Sequence, residues 1–153
     1  MAKLHRFLLD NQCYRVVSAT RDRTPVFLDP DCASLVVEAI QFVRHERAYV
    51  LAYVVMPEHL HALLVPRNGA SISQLLQSIK GYTARHVNEK LDRLGPLWQR
   101  SFYDRMIRDE RQLLKTVESV HMNPVMAGLV EDPEKYPFSS AREGDLVDLD
   151  AFL

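Results

Sequence analysis

The 153-residue sequence predicts an α+β fold, a ferredoxin-like split β-α-β-β-α-β sandwich with an antiparallel sheet and an additional C-terminal helix. Three observations lead to this prediction. Four short apolar segments alternate with amphipathic segments of helical period. The two middle strands are separated by a very short turn. A hydrophobic content of 47% in a chain of this length is sufficient for one compact core.

The first strand and the first helix of this pattern are marked by residue type and by spacing. The segment 13–20 is rich in β-branched residues and predicts a strand, followed by a polar turn before Pro25. Asp31 is in a position to cap a helix over 32–46. The apolar stripe of that helix recurs at three- and four-residue spacing and consists of Leu35, Val36, Ala39, Ile40 and Val43.

The middle of the chain predicts a hairpin and a second helix. Ala48–Met56 is an apolar run bounded by Pro57, and a second apolar run, His59–Pro66, follows directly. Ser71 and Gln74 have the spacing of a capping box, which indicates the start of a helix that continues to about residue 91.

A fourth strand over 101–107 and a third helix over 110–122 complete the pattern. We expect the helix to end at Asn123 and Pro124, because a residue before proline is disfavoured in helical geometry. The apolar stripe of this helix consists of Leu113, Leu114, Val117 and Val120.

We expect one domain over 1–141 and an acidic C-terminal tail over 142–153, with the chain irregular from Glu131 onward. No apolar run has the length of a membrane span, and the apolar stretch near the N-terminus is too short for a signal peptide. A cytoplasmic protein without membrane contact is therefore expected. Cys13 and Cys32 predict reduced, buried thiols.

Charge is unevenly distributed, although the formal net charge is only −1. Residues 80–115 contain nine Lys or Arg and five acids, whereas the residues from 131 onward contain seven acids and two bases. This distribution is compatible with a basic face that binds nucleic acid and equally with ordinary solvated faces. The candidates for contact with DNA are Lys80, Arg85, Arg100, Arg105 and Arg108.

His59 and His61 project from the same face of a predicted strand, about 7 Å apart along the chain. Two histidines on a strand are more often packed or exposed than metal ligands, so a third ligand is needed. Ser119 and Asn123 share a helix face opposite the apolar stripe. That face points either to solvent or to the histidines, and in the second case Asn123 completes a site of two nitrogens and one oxygen that suits Mg²⁺ or Mn²⁺.

Tyr82 is a weaker candidate for catalysis, since a tyrosine can act as a covalent nucleophile. It lies three residues after Ile79, at the edge of the apolar stripe of the second helix, with His86 one turn further along. A tyrosine in such a position more often buries its ring in the core. The residues alone leave both interpretations open.

Four segments carry a family pattern: VVMPEHLHALLVP at 54–66, SIKGYTAR at 78–85, LWQRSFYDRMIRDE at 97–110 and HMNPVMAGLVEDPEKYPFSSA at 121–141. In these motifs and their order the chain resembles the single-tyrosine HUH transposases of insertion sequences, in the branch of REP-associated tyrosine transposases. The resemblance implies a ferredoxin-like domain that recognises single-stranded or hairpin DNA, cuts one strand and joins it elsewhere. It also implies a divalent metal, Mg²⁺ or Mn²⁺, and no nucleotide cofactor.

In that family the paired histidines hold the ion that polarises the scissile phosphate, which implies this role for His59 and His61. The resemblance makes Asn123 the third ligand and places the family's nucleophile, a tyrosine that forms a phosphotyrosine link, at Ser119. Serine is shorter by a whole ring and its hydroxyl is far less acidic, so we expect impaired strand cleavage. Tyr82 matches a non-catalytic position of the family motif.

Three alternatives remain open. The chain could be an active transposase that uses Tyr82 or Tyr103 as its nucleophile. It could be a metal-dependent phosphodiesterase in which an ion-bound water replaces the tyrosine, or a non-catalytic DNA-binding domain. A monomer and a homodimer are equally compatible with the sequence.

Overall fold

The computed structural model describes residues 2–153 and confirms the predicted fold class. The helices and strands are α1 (Ala2–Asp10), β1 (Cys13–Ala19), α2 (Pro30–Glu46), β2 (Ala48–Met56), β3 (His59–Pro66), α3 (Ile72–Leu91), β4 (Tyr103–Ile107) and α4 (Glu110–Met126). The four strands form one antiparallel sheet in the order β2-β3-β1-β4. Helix α1 precedes the predicted pattern and was not predicted.

The two faces of the sheet form separate cores, because side chains alternate along each strand. Helices α2 and α3 cover one face, here called the α2/α3 face, and α1 and α4 cover the other, called the α4 face. Along β3, Leu60 and Ala62 belong to the first core and Leu63 to the second. His59 and His61 have the same parity as Leu63, so both project from the α4 face.

Local capping determines where two helices start. The carboxylate of Asp29 accepts a hydrogen bond from the backbone N–H of Asp31, so α2 starts at Pro30. The predicted cap, Asp31, is therefore wrong: it lies in the first turn, because proline at the first helical position is already held in helical geometry. Ser71 and Gln74 form the predicted capping box of α3.

The predicted end of the last helix is also wrong. α4 continues through Pro124 to Met126. The ring of Pro124 is buried, and proline removes only one hydrogen bond from this last part of the helix. The chain turns away at Gly128, whose φ of +76° is the left-handed conformation that often ends a helix. Asn123 is therefore a helical residue, and its side chain has a defined direction.

The segment after α4 is anchored along the outer edge of β2. The hydroxyl of Tyr136 donates to the carbonyl of Val55 at 2.6 Å. The carboxylate of Asp148 accepts from the backbone N–H of Val50 at 2.9 Å and pairs with Arg44 at 3.1 Å. These contacts, with three short 3-10 turns, attach the predicted acidic tail to the domain and cover part of an otherwise free strand edge.

Cys13 and Cys32 are free and buried, as predicted. Burial raises the pKa of the Cys13 thiol to about 12. Over residues 2–153, no helix combines the length and the apolar character that crossing a bilayer requires.

Candidate functional site

His59 and His61 lie at the beginning of β3, a central strand of the sheet. Their ring centroids are 4.6 Å apart and their ring planes meet at 79°. His61 pairs with Val54 on one side and with Val17 on the other. Because both neighbours are strands, the backbone under the two imidazoles is held from both sides, which is a rigid base for a binding site.

Glu58 orients the first of these histidines. Its Oε1 lies 2.7 Å from Nδ1 of His59, so this contact favours the neutral tautomer that donates from Nδ1 and has its lone pair on Nε2. A carboxylate on the outer nitrogen is the usual support of a metal-binding imidazole. Sequence reasoning missed Glu58. The signal that could have identified it is an acid directly before the His-Leu-His motif.

His61 is the more buried histidine, with 7% of the residue exposed. Burial, the neighbouring His59 and Arg15 together lower its pKa to about 3, so its imidazole is neutral. Its Nδ1 is buried without a hydrogen-bond partner in the part of the chain that the structure describes. Buried polar atoms are nearly always paired, and a neutral imidazole is the form that binds a metal. This orphaned nitrogen fits a ligand role.

A metal site at His59 and His61 needs a third ligand of a type other than His, Cys, Asp or Glu. Within residues 2–153, no group of three or more His, Cys, Asp or Glu side chains is placed to hold an ion. The amide oxygen of Asn123, together with the nitrogens of His59 and His61, would provide such a set.

The orientation of α4 puts Asn123 on the flank that faces β3. Val120 packs into the core. His121 lies beside β2, where its Nε2 is 2.7 Å from Oγ of Ser140, and Ser140 is bonded to the backbone of Tyr53. Asn123 is rotated by about 200° from His121 around the helix, so it lies on the opposite flank.

The predicted position of Asn123 opposite the apolar stripe is therefore wrong. Asn123 is half-buried at the border of the core, whereas Ser119, one turn earlier, is exposed. The difference arises because α4 packs mainly on β2, so its β3 flank is only partly covered. Ser119 and Asn123 do share this flank, as their four-residue spacing predicts.

Tyr82 is not part of this site. It packs against the core of the α2/α3 face, and its ring lies 4.3 Å from that of His86. The sheet separates Tyr82 from His59 and His61. This packing agrees with the core-packing interpretation and places Tyr82 away from the two histidines of the same chain.

Tyr103 does share the face of the histidines. On β4 it has the parity of Ile107, which belongs to the core of the α4 face. Tyr103 pairs with Val17, and Val17 pairs with His61 on its other side. The tyrosine is 59% exposed. Two strand spacings separate the Cα atoms of Tyr103 and His61, which is roughly 10 Å.

Two of the predicted DNA-contacting residues lie near this side of the sheet. Arg105 pairs directly with Arg15 across β4 and β1, and Arg108 is exposed just after β4. Arg15 was not identified from the sequence. Because residues directly opposite in a sheet project from the same face, Arg105 and Arg15 bring two guanidinium groups to the α4 face next to Tyr103.

The other predicted DNA-contacting residues lie on or near α3. Lys80 and Arg100 line a pocket between α3 and the segment before β4. Arg85 is exposed on α3 and forms a loose ion pair with Glu89, with 3.7 Å between Nε and Oε1. The five residues therefore do not form one surface, and the basic character is divided between the two sides of the sheet.

Comparison with known proteins identifies the family. The family model described as "Transposase IS200 like" matches residues 9–120, which is most of the chain. The chain belongs to the IS200-like transposase family. The region matched in this IS200-like transposase contains His59, His61 and Ser119, and it ends three residues before Asn123.

Two relatives of this IS200-like transposase are REP-associated proteins. The chain is 25% identical over 150 residues to a candidate REP-associated tyrosine transposase of Haemophilus influenzae, a match that covers 92% of this chain and 85% of the relative. It is 29% identical over 104 residues to the REP-associated tyrosine transposase of Escherichia coli K12. That match covers 67% of this chain and 60% of the E. coli protein.

Two solved structures share the fold of this IS200-like transposase. The structure of a REP-associated tyrosine transposase bound to a REP hairpin matches 91% of this chain and 84% of its own, with a TM-score of 0.72 and 24% identity. A candidate transposase from Deinococcus radiodurans matches 71% of this chain and 90% of its own, with a TM-score of 0.55 and 23% identity. At these identities the likeness establishes the fold.

Proposed function

We propose that this protein binds hairpin DNA with an adjacent single strand and holds Mg²⁺ or Mn²⁺ at His59, His61 and Asn123, while its strand cleavage is impaired. The observation that carries the proposal is the state of His61: buried, neutral and with an unpartnered Nδ1 beside a second imidazole. A folded protein keeps such a nitrogen unsatisfied only at a cost, which a bound ligand would remove.

Each residue of the proposed HUH site has a distinct task. Glu58 holds the proton of His59 on Nδ1 and so directs Nε2 to the site. His61 provides a neutral nitrogen because burial keeps it uncharged. Asn123 provides an amide oxygen from the half-buried flank of α4. A divalent ion bound there would polarise the scissile phosphate.

DNA as the partner is supported by family membership and by the structural neighbour, which is bound to a REP hairpin. Three basic side chains at or beside β4 lie where they could contact a DNA strand that passes the histidines: Arg15, Arg105 and Arg108. Guanidinium groups suit this task because they bind phosphate oxygens through two parallel hydrogen bonds.

Impaired cleavage follows from the residue at the nucleophile position. In the single-tyrosine reaction the phenol oxygen bonds to phosphorus and the 3′-oxygen of the other strand segment leaves. Ser119 lacks the ring that would carry its oxygen from the exposed flank of α4 to the phosphate. Its hydroxyl is also far less acidic than a phenol, whose pKa is about 10.

Active cleavage through Tyr103 is the second candidate. It is favoured by one observation: Tyr103 is exposed on the same face as His61, separated from it only by Val17. In that case a phenol attacks from β4, on the same face of the sheet as α4.

A labelled hairpin oligonucleotide with single-stranded flanks, incubated with Mn²⁺, tests the proposal. We expect wild type to bind the hairpin in a gel-shift assay and to give no covalent adduct on a denaturing gel. Ser119→Tyr should produce the adduct, and Ser119→Tyr combined with His61→Ala should not.

The other outcomes identify the alternatives. An adduct in wild type contradicts the proposed impairment, and its loss in Tyr103→Phe would assign the nucleophile to Tyr103. Cleavage to free ends without adduct indicates a phosphodiesterase that uses bound water. Hairpin binding by a protein that shows no binding of Mn²⁺ in isothermal titration calorimetry indicates a DNA-binding domain in which the histidines have no metal role.

A further inference from the structure

A pocket of about 440 Å³ lies between α3 and the segment that leads into β4, on the α2/α3 side of the sheet. The sheet separates it from His59 and His61, so it is not part of the proposed metal site. Its volume is within the range of roughly 300–1,000 Å³ that is typical of ligand pockets. Apolar groups dominate the lining, which includes Leu76, Ala84, Pro96, Leu97, Trp98 and Phe102.

The walls of this pocket are held in place by three hydrogen bonds. Nζ of Lys80 donates to the carbonyl of Gln99 at 2.8 Å, and the backbone N–H of Gln99 donates to the carbonyl of Ala19 at 2.9 Å. Nε1 of Trp98 donates to the buried hydroxyl of Thr83 at 2.8 Å. Helix α3 and the segment before β4 are therefore tied to each other and to β1, so the pocket is preformed.

Gly81 lines the pocket, at an exposed position of α3. It lies in the interior of α3, a helix of 20 residues, where glycine is unfavourable relative to alanine. Its φ is in the ordinary range, and a Cβ built on it meets no atom within 4 Å. Neither backbone conformation nor close packing requires glycine here. A side chain at this position would have open space at the wall of the pocket.

The chemistry of the lining matches one unpaired nucleotide. The half-buried ring of Phe102 and the aliphatic wall provide a surface for a nucleobase, which stacks on such groups without a requirement for base pairing. Lys80 and Arg100 lie at the same pocket and supply two cations for the phosphate. A base within a duplex could not enter, because its faces are already stacked.

We propose that this pocket binds a single unpaired nucleotide of a DNA strand, with the base on Phe102 and the aliphatic wall and the phosphate at Lys80 and Arg100. This inference rests on the proposed function, since it assigns part of the DNA contact. It places recognition of unpaired DNA on the side of the sheet opposite the metal site. A bound strand then touches both sides of the domain, past the edge formed by β4.

The chain carries its own reporter for this pocket, because Trp98 is its only tryptophan and lines the cavity. The test is a titration of tryptophan fluorescence with an unlabelled oligothymidylate of eight nucleotides. We expect saturable quenching in wild type and in Gly81→Ala. In Gly81→Leu, whose side chain fills the cavity, the apparent affinity should fall roughly tenfold, as expected for the loss of one stacked base.

Comparing Gly81→Ala with Gly81→Leu distinguishes a loss of affinity caused by a side chain in the pocket from one caused by unfolding. Both replacements raise helix propensity, so both should unfold at or above the wild-type temperature. The affinity of a fully paired hairpin, measured by fluorescence anisotropy, should be equal in the three proteins. Absence of quenching in wild type overturns the pocket proposal, as does equal quenching in Gly81→Leu. Failure of the paired hairpin to bind any of the proteins contradicts the proposed function instead.

Discussion

Oε1 of Glu58 lies 2.7 Å from Nδ1 of His59, so the carboxylate fixes which ring nitrogen of this histidine is free. The bond joins neighbouring residues at the turn between β2 and β3, where the ring centroids of His59 and His61 are 4.6 Å apart. The residue that supports this candidate metal ligand is therefore part of the same β-hairpin as the ligand.

Replacing Glu58 by Gln should weaken Mn²⁺ binding by roughly 10- to 100-fold, because the amide no longer accepts the Nδ1 proton as strongly. Isothermal titration calorimetry with Mn²⁺ measures this change. Glu89→Gln is the matched control, since Glu89 is exposed on α3 on the other side of the sheet. Equal affinities for the two variants would show that Glu58 does not support the site.

His61→Leu should abolish Mn²⁺ binding and stabilise the metal-free protein. The change removes a buried unpaired nitrogen, whose burial costs about 1–3 kcal/mol, and replaces it with an apolar side chain. Urea unfolding in EDTA gives the free energy of unfolding. Leu63→Ala, at a fully buried position of the same face and strand, should instead lose about 2–5 kcal/mol. A destabilised His61→Leu would mean that Nδ1 has a partner in solution.

If wild type forms a covalent adduct, contrary to the proposed impairment, the adduct should depend on Tyr103 and not on Tyr82. Tyr103 shares the face of His61, whereas Tyr82 is separated from it by the sheet. Quantifying adducts of Tyr103→Phe and Tyr82→Phe on denaturing gels checks this expectation. A loss of adduct in Tyr82→Phe with an unchanged melting temperature would contradict the positions described above.

Thr83→Val should destabilise the protein by about 1–3 kcal/mol, because it leaves the buried Nε1–H of Trp98 without an acceptor. Thr83→Ser keeps the hydroxyl and should lose less. Thermal unfolding followed by circular dichroism compares the two variants. A loss in Thr83→Ser as large as that in Thr83→Val would contradict this assignment, because serine retains the hydroxyl that accepts the hydrogen bond of Trp98.

Cys13 and Cys32 should not react with Ellman's reagent in the folded protein at pH 8. The thiolate is the reactive form, and burial raises the pKa of both thiols, that of Cys13 to about 12. Both should react at once in 6 M guanidinium chloride, which serves as the control. Rapid reaction without denaturant would show that one of these thiols is accessible.

From β1 to α4 the sequence by itself predicted the order of strands and helices correctly, because hydrophobic period is a local property, whereas α1 was not predicted. Ala48–Met56 and His59–Pro66 begin and end where the apolar runs do, and the capping box at Ser71 marks the start of α3. The errors arose where two local signals compete. Pro30 at the first helical position put the cap at Asp29 instead of Asp31, and burial of Pro124 outweighed its tendency to end α4.

The sequence also identified the pattern His59-Leu60-His61 and the serine at position 119. These predictions need only the alternation of side chains along a strand and a comparison of motifs. Which residues join the histidines is a question of which side of the sheet each element covers, and only the tertiary structure decided it. Strand pairing brought Tyr103 and Arg15 to the α4 face and left Tyr82 on the other. Contacts across distant parts of the chain, rather than local propensity, determine that division.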